Sequence, residues 1–144
     1  MGRDANNRAR CTLIAFMAIL LVGCGTATHP LTRIALLAPF EGRYREVGYN
    51  AYYAALLALN EAGARYTELV AIDDGGTAAT AAERAAALAR DPLVKGVILL
   101  GYAAADLEVQ PAYANLPVLI VGNWATGVYA DNVFILSSPQ INEQ

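Results

Sequence analysis

The sequence predicts an α/β domain, a doubly wound parallel sheet with helices on both faces. Three observations predict it. Short, largely apolar runs recur at 34–38, 68–72, 95–100, 117–121 and 132–136, and runs of that kind suit strands buried on both sides. Helix-forming stretches alternate with them, which calls for right-handed crossovers between parallel neighbours. Composition allows a large core: of 144 residues, 56% are hydrophobic and 16% charged, which excludes a disordered chain and fits one domain of ordinary size.

The opening unit covers 33–63. Ile34, Ala35, Leu36, Leu37 and Ala38 form its strand, stopped by Pro39. The loop that follows, with Phe40 and Tyr44 among Glu41, Arg43 and Arg45, is too polar for a core and too aromatic for a plain spacer. Val47, Ala51, Ala54, Ala58 and Ala62 then share one helical face, and Gly63 ends the helix. The second strand, 68–72, stops at Asp73-Asp74-Gly75-Gly76. Residues 77–90 are alanine-rich and strongly helical, opened either by Thr77 or by Thr80, whose Glu83 would complete a capping box. Asp91-Pro92 closes that helix. The third strand, 95–100, leads through Gly101-Tyr102 into a short helix over 103–115, where Pro111 is tolerable only near a first turn or at a kink. The fourth strand is 117–121 and the fifth 132–136. Parallel strands bring the loops 39–45, 101–106 and 122–127 to one edge. Each carries a large aromatic residue: Phe40 and Tyr44, Tyr102, Trp124. Aromatic side chains at the carboxyl edge of such a sheet mark a binding surface. The alternative is that they cover strand ends or meet another part of the protein.

Several kinds of chemistry are excluded. A Rossmann cofactor site needs G-x-G-x-x-G after the first strand, where this chain has Pro39-Phe40-Glu41-Gly42-Arg43. The chain has one histidine, His29, and two cysteines, too few for most metal sites and catalytic triads. Ser137 and Ser138 have no histidine to activate them. No cofactor, metal or enzymatic activity is therefore expected. The pair Asp73-Asp74 reads as a turn and helix N-terminal charge. A receiver-type acidic pocket would also want an aspartate where Gly101 stands and a lysine after Lys95, and there is neither. Arg43 and Arg45 could steer an anion or form a solvated loop face, and Glu41 could pair with one of them. Net charge is −3 with no basic patch, so nucleic acid is not a partner.

Ahead of the domain, Arg3, Arg8 and Arg10 precede an apolar run at 13–22, of signal-peptide length and short of the roughly 20 residues a spanning helix needs. Leu21-Val22-Gly23-Cys24 directly follows and resembles the bacterial lipobox, in which cleavage before a cysteine precedes its diacylation. Residues 1–23 are thus expected to be a lipoprotein signal peptide, Cys24 the lipid attachment site and 24–32 a tether. An ordinary signal peptide with an incidental cysteine is the alternative. Cys11 leaves with the signal, so the mature chain could form no intrachain disulfide. Loss of Arg3, Arg8, Arg10 and Asp4 takes the net charge from −3 to −5.

With these elements in place, 33–144 resembles the N-terminal lobe of a type I periplasmic-binding protein, the solute receptor of amino-acid-type ABC importers. Four stretches carry the resemblance: 34–60 with Gly42, Gly48, Ala55 and Asn60; Ala71-Ile72-Asp73-Asp74-Gly75-Gly76; Gly96 to Gly101 with Pro111-Ala112; and Leu116 to Ile120 with Ala125-Thr126. The resemblance implies a small solute, an amino acid or similar, gripped between two lobes, of which this chain supplies one and lacks the second. It implies ligand contacts from Phe40, Tyr44, Tyr102, Ala105, Trp124, Ala125 and Thr126, with Thr126 as hydroxyl donor and Ala125 as a backbone contact. In that family the loop after the third strand commonly offers a hydroxyl to the ligand carboxylate. Here it reads Ala103-Ala104-Ala105-Asp106, with no hydroxyl and an acid that would repel a carboxylate. The partners implied are an ABC permease and, through the lipid anchor, the outer face of a membrane. A second reading is a regulatory or scaffolding lipoprotein that uses the same fold to bind a protein such as a cell-wall synthase.

Overall fold

In the computed structural model, which describes residues 29–128 and 130–137, β1 (Thr32–Ala38) lies between β2 (Thr67–Asp73) and β3 (Val94–Leu99). The expected signal peptide, Cys24 and the first part of the tether lie outside the described residues. Beyond β3 come β4 (Val118–Val121) and the edge strand β5 (Val133–Leu136). The five-stranded sheet has the order β2-β1-β3-β4-β5, and every neighbouring pair is parallel.

Side chains of a strand alternate between faces, and β1 is buried on both. Ala35 and Leu37 join Val97, Leu99, Val118 and Ile120 on one face. That face is covered by α2 (Ala78–Arg90), through Ala81, Ala85 and Leu88, and by the segment from Ala104 to Tyr113. Leu36 and Ala38 point to the other face, where Val47, Ala51 and Tyr52 of α1 (Arg45–Glu61) pack on them. Helices on both faces of a parallel sheet are therefore observed, as the alternation of runs predicts. Thr77 is the N-cap of α2, its hydroxyl accepting the Thr80 N–H at 3.2 Å, which decides between the two expected starts.

Two expectations need correction. Along α1, Val47 and Ala51 face the sheet, but Ala54, Ala58 and Ala62 are exposed. The sheet-facing stripe runs instead through Gly48, Tyr52, Ala55 and Leu59. Tyr52 and Leu59 bring more apolar area to that stripe than the alanines could, although Tyr53 and Leu57 of the same helix stay exposed. The helix expected over 103–115 is absent as one piece. A single turn, α3 (Tyr102–Ala105), is followed by a 3₁₀ turn at Gln110–Tyr113. Asp106 breaks the run: its backbone is extended (φ −57°, ψ 139°), and its Oδ1 accepts the Glu108 N–H at 2.8 Å. A side chain that satisfies a nearby backbone donor competes with the helix for it. Pro111 then sits at the start of the 3₁₀ turn, where its missing N–H costs nothing. Among the described residues no helix is long and apolar enough to cross a membrane.

Candidate functional site: the carboxyl rim of the sheet

Because β1, β3 and β4 are adjacent and parallel, the loops that follow them emerge side by side. Three of the expected aromatic residues meet there. Tyr44 lies 6.2 Å from Tyr102 and 5.9 Å from Trp124, and Tyr102 lies 4.9 Å from Trp124, ring centre to ring centre. All three contacts are edge-on, the arrangement that aromatic quadrupoles favour. Tyr102 is 59% exposed, so the cluster is an open wall rather than a core. Gly122, at φ 101°, makes the Trp124 position available: a Cβ there would stand 2.9 Å from the indole Nε1.

Phe40 is not part of this wall. It turns toward α1, edge-on to Tyr49 at 5.5 Å, and packs on the Leu36 face of the sheet. Ala105 is fully buried, and its carbonyl already accepts a hydrogen bond from Gln110 Nε2 at 3.1 Å. Ala125 packs against the core, whereas Thr126 is exposed on the rim. A hollow of about 340 Å³ brings Tyr102, Ala105, Trp124 and Thr126 together with Asp106 and Glu108.

A second cavity, about 400 Å³, opens beside the first. Its walls come from the loops after β1, β2 and β3, including Tyr44, Tyr102, Glu41, Arg43, Asp73 and Asp74. Strand order reverses between β1 and β3, and crevices at such switch points, beyond the carboxyl ends of the strands, are where open α/β sheets bind ligands. Gly101 shapes the floor. Its φ is 95°, and a Cβ would stand 2.9 Å from both Asp74 Oδ2 and Pro39 Cδ.

The two aspartates of this cavity differ in function. Asp73 Oδ1 accepts the N–H groups of Phe40 (2.7 Å) and Glu41 (3.1 Å), and its Oδ2 accepts from Gly75 N (2.9 Å) and Arg84 Nη1 (3.3 Å). Burial alone would raise its carboxyl, but the bonds from Phe40, Gly75, Glu41 and Arg84 together outweigh it and hold the group below its ordinary value. Asp73 thus ties the first rim loop to the second. Asp74 is 3% exposed; its Oδ1 accepts the Gly76 N–H at 2.9 Å. Burial, then the nearby Asp73 charge, push its carboxyl above the ordinary value against the opposing pull of Gly76. Gln110, also buried, donates from Nε2 to Gly127 O at 3.0 Å, joining the loop after β4 to the segment after β3.

Sequence reasoning located the aromatic rim but not these three polar ties. Asp73-Asp74 reads as a turn, and Asp73 Oδ2 and Asp74 Oδ1 behave so, each accepting the N–H two residues on, whereas the reach of Asp73 Oδ1 back to Phe40 and Glu41 has no local signal; Gln110 carries no sequence signal that separates it from a surface glutamine. Among the described residues no cluster of three or more metal-ligating side chains occurs.

No protein-family model matches the chain, and neither does any curated protein sequence. Two solved structures are similar in fold. One, assigned as a leucine/isoleucine/valine-binding protein from Rhodopirellula baltica SH 1, superposes with a TM-score of 0.55 at 24% identity, over 66% of this chain and 27% of its own. The other, assigned as a branched-chain amino acid ABC transporter from Rhodospirillum rubrum, gives 0.53 at 22% identity, over 62% of this chain and 28% of its own. This chain therefore spans about a quarter of the length of each. What the likeness establishes is the fold: a parallel α/β sheet of the kind that forms a lobe of a type I periplasmic-binding protein.

Proposed function

We propose that this protein is the extracytoplasmic solute receptor of an ABC importer, held to a membrane by a lipid on Cys24 after removal of 1–23. Residues 33–144 are its N-terminal lobe, and it captures a small solute, an amino acid or similar, without chemistry. The mechanism is closure of a second lobe over the carboxyl rim about a hinge. Tyr44, Tyr102 and Trp124 provide the apolar wall, Thr126 a hydroxyl, and Ala125 the backbone beside it. Phe40 and Ala105 act behind this surface, one bracing the first loop against α1 and the other filling the core beneath the rim.

The observation that carries this reading is the exposed three-ring wall at the switch-point edge, beside a cavity of small-molecule size. Assignments of the two structural neighbours as an amino-acid-binding protein and an ABC transporter point the same way. The test is a thermal-shift screen of the full-length protein against amino acids, amides and sugars. Stabilisation by one class, lost in Trp124→Ala, is the expected result. Failure of every solute, with capture of a cell-wall synthase by the same protein, would replace the receptor with the scaffolding reading.

A further inference from the structure

The cavity between the loops after β1, β2 and β3 holds a carboxylate oxygen that the fold does not use. Asp74 is 97% withdrawn from solvent by its 3% exposure, and Oδ1 is committed to Gly76. Among the described residues no donor reaches Oδ2. Among the described residues no fully buried side-chain polar atom lacks a partner, so Oδ2 meets the cavity rather than the core. A carboxylate withdrawn this far from water is costly to ionise, and burial raises it above its ordinary value. The cost is recovered when a cationic donor arrives.

The surroundings select the sign of that donor. Across the two rim hollows the lining acids are Glu41, Asp73, Asp74, Asp106 and Glu108, against Arg43 alone among lining bases. Asp73 is engaged by Arg84, which leaves Asp74 as the buried acid open to a ligand. Tyr102, on the same cavity and 59% exposed, offers an aromatic ring of the kind that attracts ammonium groups, while the Tyr44 ring beside it already carries the Arg43 guanidinium, 5.9 Å from its centre. We propose that this cavity binds the ammonium group of an organic cation, with Asp74 Oδ2 as its acceptor and Tyr102 as its aromatic wall. The inference rests on the solute-receptor reading and specifies its ligand: a molecule with a primary amine and no carboxylate directed at this lobe.

The test compares n-butylammonium, n-butanol and butyrate, which share a chain and differ in charge, by amide NMR titration of the full-length protein. Butylammonium is expected to bind most tightly, shifting the amides of Gly75, Gly76 and Gly101 and the Asp74 carboxyl carbon. Asp74→Asn keeps an oxygen for Gly76 and is expected to weaken butylammonium about tenfold or more, the usual loss for a charged hydrogen bond. Tyr102→Leu, at an exposed position, is expected to weaken it less. The wild-type carboxyl shift reads the contact even if Asp74→Asn fails to fold. Unchanged butylammonium affinity in folded Asp74→Asn, or an unmoved Asp74 carboxyl at saturation, overturns the assignment. Binding of butanol or butyrate at the rim without butylammonium overturns it too, yet leaves solute capture standing. If none of the three binds and the wider solute screen is also blank, both readings fall.

Discussion

The Asp73 carboxylate receives three backbone N–H groups and one guanidinium N–H, and those bonds span two loops 33 residues apart in the chain. Its neighbour Asp74 is buried, and among the described residues only its Oδ1 meets a donor. The pH behaviour of the two is therefore opposite in sign. Asp73 has a folded value below the ordinary 3.8, so it adds stability above that value, and the gain is lost as pH falls through the lower folded value. Asp74 is raised above 3.8, so its contribution is present below that value and is lost as pH rises through the raised one. Melting curves of the full-length chain across pH 2–8 should separate them. Asp73→Asn is expected to cost about 1–3 kcal/mol at neutral pH, the scale of charged hydrogen bonds, with the deficit closing in acid. Asp74→Asn is expected to melt higher than wild type at neutral pH and to lose that advantage in acid. A lower neutral-pH melting point for Asp74→Asn would mean that its carboxylate is not a cost to the fold. The sequence shows two acids before two glycines, which is a turn signature. It does not show that one of them reaches back to Phe40 and Glu41, because that contact depends on β1 and β2 lying in register, with Ala38 opposite Asp73.

At the scale of elements, success and failure of the sequence reading follow how local the deciding interaction is. Helix α2 has a cap, a run of alanines and a stop within its own residues, and its ends fall where those signals put them. The expected 103–115 helix also has alanines, but Asp106 diverts the backbone after one turn. The break creates the site geometry. It lets Gln110 turn inward, where its amide bridges Ala105 O and Gly127 O and fixes the loop that carries Trp124 and Thr126. Gln110→Ala should therefore loosen that loop more than it unfolds the sheet. Hydrogen exchange is expected to accelerate over 124–128, with β1 and β3 protection nearly unchanged and a stability loss of about 1–3 kcal/mol for the orphaned carbonyls. Equal acceleration across β1 would show that Gln110 supports the core at large and not the rim in particular.

For the molecule as a whole, alternating strands and helices were enough to read the sheet, its parallel sense and the shared edge of the three aromatic loops, since those depend only on order along the chain. How completely each face is covered depends instead on where a helix lies across the sheet, and periodicity along one helix carries no such information. On the face of Ala35 and Leu37, α2 and the segment after β3 close the core. On the opposite face α1 sits over β1 and β2. A groove of about 490 Å³ remains, lined by Ile34, Leu59, Leu69, Ile98, Leu119 and Phe134 among others, with Lys95 as its charged residue. Phe134 is 58% exposed, which for a phenylalanine on the edge strand leaves most of its apolar area in water. The native chain should therefore enhance the fluorescence of an apolar anionic dye such as ANS well below its melting transition. Phe134→Ser should remove much of that signal, because it takes out the outer wall of the groove without touching the aromatic rim. If the signal survives Phe134→Ser and disappears in Tyr102→Leu, the dye is reading the rim, and the groove is narrower in solution than its lining implies.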